Sequence, residues 1–156
     1  MPRSILLSLL LTGATVVALF RKRRPVAVVL GSLALALVWM LGALAAADVR
    51  LSFINLIALP ITFGIGVDYP VNVYGRYAQD PGSGILSAMR GAGGAVLLCS
   101  LTTSLGYLAL LRAHNQAVRS LGAVAVLGEV SCVVAALLVL PAVVAWMSRR
   151  RNAYAC

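Results

Sequence analysis

Apolar residues run along this chain in long, nearly unbroken blocks at about 4–20, 26–47, 52–74, 92–111 and 120–147. Neither the alternation of a half-buried strand nor the single stripe of a soluble amphipathic helix organises them. Each block is close to the ~20 residues a helix needs to cross a bilayer. The pattern therefore predicts five transmembrane helices, an all-α polytopic membrane bundle forming one domain over 1–156. Polar residues fall mainly in the connections. Arg21-Lys22-Arg23-Arg24-Pro25 separates the first two blocks, Asp48-Val49-Arg50 the next two, and Arg112 to Arg119 the last two. A longer segment from Gly75 to Gly91 joins the third to the fourth, and Arg149-Arg150-Arg151 follows the fifth.

Composition agrees that the solvent is lipid. The chain is 62% hydrophobic, has a mean hydropathy of +0.99 and is only 11% charged, far from the balance of soluble domains. Its net charge of +9 would suit nucleic acid, but the basic residues cluster between apolar blocks, where they set topology. Nucleic acid is set aside as a partner. Residues 21–24, Arg76, Arg90 and 149–151 place nine positive charges on one side, against four at Arg3, Arg50, Arg112 and Arg119. The excess predicts an external N-terminus and a cytoplasmic C-terminus. A signal peptide over Ile5–Leu19 is disfavoured because four basic residues follow directly, where a cleavage site belongs.

The third block carries the candidate chemistry. Between Leu51 and Val73 the one acidic or basic side chain is Asp68, within Gly64-Ile65-Gly66-Val67-Asp68-Tyr69. A carboxylate in hydrocarbon costs roughly 2.5–3.5 kcal/mol even on insertion scales, so it points to a role in moving or sensing a proton or ion. Pro60, Gly64, Asp68 and Asn72 recur every fourth residue and form a slowly drifting stripe on one helix face. Pro60 frees a carbonyl near Leu56, and Pro70 disturbs the helix again beside the carboxylate. Together these residues predict a helix break and a polar path, which membrane helices tolerate where they are buried or line a cavity.

Two other polar sets lie at depth. Ser100, Thr102, Thr103 and Ser104 can bond back to their own helix or line a wet side facing Asp68. Glu129 fits two roles, a hydrogen-bonded structural carboxyl or a second acid of the path. Cys99, Cys132 and Cys156 show no metal or disulfide spacing and read as packing residues. His114 sits with Asn115 and Gln116 in a loop. No metal site, phosphate loop or nucleophilic triad is legible. The prediction is a protein that is not an enzyme, uses no cofactor, and draws energy from an ion gradient.

These residues carry a resemblance. Gly64-x-x-x-Asp68-Tyr69, followed by a short cytoplasmic amphipathic helix and Ser100-Leu101-Thr102-Thr103-x-x-Gly106-Tyr107, resembles the resistance-nodulation-division (RND) superfamily. The MMPL-type exporters are the most similar branch. The stretch Leu59 to Tyr69, with Leu127-Gly128-Glu129-Val130-Ser131-Cys132 and Leu140-Pro141-Ala142, is similar to the hopanoid exporters among them. The resemblance implies a partial RND transmembrane domain, spans two to six of one half, with the first span and the extracytoplasmic domain missing. It implies that Asp68 and Tyr69 form a proton relay.

A proton-coupled exporter of a hydrophobic or lipid substrate, hopanoid-like, is then the expected function. Its partners would be membrane lipids, that substrate, and the rest of the transporter, a second half or further copies of the chain. Its place would be the bacterial cytoplasmic membrane. The alternative is a sterol-sensing-like or SecD/SecF-like protein-export module without small-molecule transport. Burial disfavours the charged form of an acid, so Asp68 can load a proton from one side and lose it when water arrives from the other. One proton moved through about 150 mV supplies roughly 3.5 kcal/mol. Moving a thirty-carbon lipid through water costs on the order of 24 kcal/mol, so such a substrate must stay in an apolar groove throughout.

Overall fold

The computed structural model describes residues 2–20, 23–46 and 55–153, and it is helical almost throughout. The connections at 21–22 and 47–54, the start of the predicted third span and Cys156 lie outside the described residues. Among the described residues seven α-helices follow one another: α1 Pro2–Phe20, α2 Arg23–Ala46, α3 Asn55–Gly66, α4 Asp68–Gln79, α5 Gly84–Leu110, α6 Gln116–Val134 and α7 Leu140–Ala153. No strand occurs among the described residues. Among the described residues three stretches, Pro25–Ala46, Gly84–Leu110 and Gln116–Ser148, are long and apolar enough to cross a membrane.

Two interruptions divide longer helices, and a proline explains each. Between α3 and α4, Val67 keeps a helical backbone (φ −69°, ψ −27°). Val67 N–H still reaches the Phe63 carbonyl and Val71 N–H the Val67 carbonyl, both at 3.2 Å. Pro70 has no N–H, so the Gly66 carbonyl loses its helical partner between those two bonds. The same shortage arises where Pro141 follows α6. There Ala135–Val139 widen into a π-helical turn, with Leu140 N–H reaching back to the Ala135 carbonyl, an adjustment typical of interrupted helices. α3 itself runs without a break through Pro60.

The junction between the third and fourth spans is tighter than the 75–91 segment read from sequence. α4 continues to Gln79, a single 3-10 turn covers Pro81–Ser83, and α5 begins at Gly84. Hydrogen bonding propagates a helix past its apolar block more readily than it ends it there. The turn closes on Gly84 at φ +76°, a conformation that side chains other than glycine resist. At the opposite end Asn115 caps α6, its side chain accepting from Ala117 N–H at 2.9 Å. The loop polar residue read at 115 is thus a helix start signal.

α6 is the central helix and packs on α2, α3 and α5. Of the apolar window in α6–α7, 44% is buried, against 17% in α5, which places α5 at the rim. The main core joins Val29, Leu33 and Ala36 of α2 to Tyr69 and Val73 of α4 and to Cys132, Ala136 and Leu140. A second cluster, Met40, Leu44, Ala58 and Val124, fills the other end. Small residues allow the close approach at the centre. A Cβ on Gly128 would stand 2.5 Å from Thr62 Cγ2 and 3.0 Å from Met40 Sδ, and one on Gly66 would collide with Cys132 Sγ. Meanwhile Leu10, Trp39, Leu98, Leu101, Leu105, Leu138 and Trp146 face outward. A water-soluble bundle would not show such a surface; a bundle in lipid does.

Candidate functional site

The α3–α4 interruption falls beside the sequence-predicted acid and directs two neighbouring residues apart. Asp68 opens α4 and is exposed, whereas Tyr69 is buried at 2% exposure. Successive residues on a helix diverge by about 100°, at 3.6 per turn, so burying the one turns the other outward. Gly64 and Asn72 are exposed with Asp68, and Pro60 is half-buried on the same side. Asn72 Nδ2 donates to the Asp68 backbone carbonyl at 2.8 Å. Beyond its own stretch of helix, no atom of the described residues lies within 4 Å of a Cβ built on Gly64. Gly64, Asp68 and Asn72 therefore share an outward face, turned away from the other described helices.

Tyr69 faces the interior, and its hydroxyl donates to Glu129 Oε1 of α6. Glu129 is 1% exposed, so this bond crosses the middle of the bundle. Tyr107 and Cys132 stand near enough to interact electrostatically with Glu129. Thr103 and Cys99 do the same for Tyr69. A small polar cluster thus joins α4, α5 and α6 inside an otherwise apolar core. About two turns before Tyr69, Thr62 is buried, and among the described residues its hydroxyl has no hydrogen-bond partner.

The fourth-span hydroxyls do not face Asp68 as a set. Thr102 and Thr103 both donate to the Cys99 carbonyl, at 2.8 and 2.9 Å, the self-bonding usual for hydroxyls in apolar helices. Thr102 is exposed, Thr103 is half-buried towards Tyr69, and Ser100 is buried. The residue reaching the hydroxyl side is Tyr69, with Asp68 turned to the surface.

Sequence reasoning left Glu129 with two roles and did not find its partner. The register offers no signal for the pair: Tyr69 and Glu129 stand 17 and 9 residues into the predicted spans 52–74 and 120–147, so both depth and azimuth needed the packing.

Comparison with known proteins agrees with this architecture. The model of the MMPL family matches residues 4–155. A protein of Methanocaldococcus jannaschii whose description goes no further than membrane protein is 29% identical over 142 residues. That alignment takes in 86% of this chain and 37% of the relative, so the chain spans well under half of the relative's length. No solved structure matches.

Proposed function

The chain belongs to the MMPL family, and on that premise we propose that it is the membrane-spanning part of a proton-coupled exporter of a hydrophobic, lipid-like molecule. Asp68 is the titrating group, Tyr69 its neighbour in the relay, and Glu129 the buried acceptor that holds Tyr69 in place. The five-span division, with an external N-terminus and a cytoplasmic C-terminus in the bacterial cytoplasmic membrane, belongs to this reading. So does a hopanoid-like substrate, with the proton gradient as the energy source.

One observation carries the proposal. Asp68 is exposed on the surface of an apolar bundle, at a helix interruption, while the adjacent Tyr69 is buried and bonded to a second acid. Facing lipid, that carboxylate would cost roughly 2.5–3.5 kcal/mol. The face is therefore suited to cover by protein or to a water-filled path between this bundle and the rest of a transporter. The outward stripe of Gly64, Asp68 and Asn72 supplies the small and polar surface such a junction needs. A proton arriving at Asp68 changes the charge beside the Gly66 carbonyl that Pro70 leaves without its helical bond, and so can be felt as motion.

The test is Asp68→Asn in the complete transporter reconstituted in proteoliposomes. The amide is nearly isosteric and easier to bury, so insertion and abundance should stay near normal while substrate-dependent proton uptake disappears. Wild-type transport with unchanged dependence on the gradient would show Asp68 to be a packing residue.

A further inference from the structure

A second site lies apart from the Tyr69–Glu129 pair, where the C-terminal end of α1 meets α4 and the first half of α5. A cleft of about 420 Å³ opens there, within the range of small-ligand sites, about 300–1,000 Å³. The half-buried Phe20, Gly75 and Ala92 line it together with the exposed Asn72, Arg76 and Gln79. We propose that this cleft binds the phosphate of an anionic glycerophospholipid, with Arg76 as the charged contact and Phe20 against the start of an acyl chain.

Four features favour that occupant. Arg76 is exposed, and among the described residues it forms no ion pair; its bond to Gln79 Oε1 is long, at 3.4 Å. A guanidinium has five N–H donors in a planar fork, a geometry that matches two phosphate oxygens. The Gln79 side chain accepts from Arg76 through its oxygen, which leaves its NH₂ to donate to the same ligand. The helix termini do not oppose an anion here, because the C-terminal end of α4 and the N-terminal end of α5 lie side by side and their partial charges offset each other.

Depth fits as well. Arg76 is eight residues beyond Asp68 and three short of the last residue of α4, about 12 Å along the helix from the acid. With Asp68 near the middle of a hydrocarbon core about 30 Å thick, that distance reaches the headgroup boundary. Phe20 packs edge-on against Tyr74 with ring centroids 5.4 Å apart, and Tyr74 against Tyr77 at 5.7 Å. Amphipathic rings of this kind collect at the membrane–water boundary. In sequence, the four basic residues 21–24 follow Phe20 directly, so the whole segment belongs to the strongly positive side, and anionic lipids concentrate against such sides. The inference needs the membrane setting but not proton coupling, so the two stand or fall separately.

Native mass spectrometry of the detergent-purified chain tests it, with phosphatidylglycerol, phosphatidylcholine and inorganic phosphate as probes. Phosphatidylglycerol should bind at least about fivefold more tightly than phosphatidylcholine, and inorganic phosphate in millimolar excess should not displace it. Arg76→Gln should erase the preference, whereas Arg119→Gln at the other end should keep it. A Cβ on Gly75 meets nothing within 4 Å, so Gly75→Leu should fold, fill the cleft and lower phosphatidylglycerol binding with every charge retained. Undiminished preference in both Arg76→Gln and Gly75→Leu would overturn the site. Displacement by inorganic phosphate alone would overturn the lipid as its occupant.

Discussion

Removing the Tyr69 hydroxyl tests the centre of the bundle directly. Tyr69→Phe preserves the ring, which packs in the main core, and deletes the hydroxyl that donates to Glu129 Oε1 in the interior. Glu129 is 1% exposed, so water cannot replace the lost partner. An acceptor stranded in this way costs about 1–3 kcal/mol. Glu129→Met strands the hydroxyl from the other side at a similar cost while retaining length and volume. In the double variant both polar groups are gone, and the two penalties should fall short of their sum. Double-mutant cycles in membrane helices average about 0.6 and reach about 1.7 kcal/mol; a pair this buried should couple by ~1 kcal/mol. That corresponds to roughly a fivefold change in the unfolding constant. The measurement is equilibrium unfolding of all four proteins in mixed micelles with increasing dodecyl sulfate. Single penalties that add within about 0.3 kcal/mol would mean that the bond contributes nothing, and the reading of Glu129 as the holder of Tyr69 would fail.

Other predictions follow from the same contacts. Glu129→Gln retains an oxygen where Tyr69 donates, so most transport by the complete protein should survive; loss of transport at normal abundance would move Glu129 into the relay itself. Gly128→Ala should destabilise the bundle by about 1–3 kcal/mol, because its methyl would stand 2.5 Å from Thr62. Gly64→Ala, with nothing within 4 Å, should leave the chain as stable or slightly more so; comparing the thermal midpoints of the two variants checks both. Cysteines placed at 22 and 150 should be labelled from the cytoplasmic side and protected from an impermeant external reagent. External labelling of either would reverse the proposed orientation.

The class of molecule was legible because lipid imposes a coarse rule. Long apolar blocks, bounded by basic residues, had to become helices, since no other single segment satisfies its own backbone in hydrocarbon. The polar face of Gly64, Asp68 and Asn72 and the weak point near Pro70 were legible too. Four-residue spacing and a missing N–H are local properties, and they act wherever the helix is placed. The extent of the helices at residues 75–91 was not legible, because the end of an apolar block does not end hydrogen bonding.

What the tertiary structure decided was which way each helix faces. In water, an apolar stripe marks the side to be buried. In lipid the tails are as apolar as leucine, so Leu98 and Leu101 on the outside read like Leu33 and Leu140 in the core. The sequence therefore could not make α6 the central helix, bring Gly128 against Thr62 or set Gly66 against Cys132. Nor could it tell that Tyr69 turns inward to Glu129 while Asp68 turns out. Those choices depend on close packing between particular side chains, and packing exists only once the helices have met.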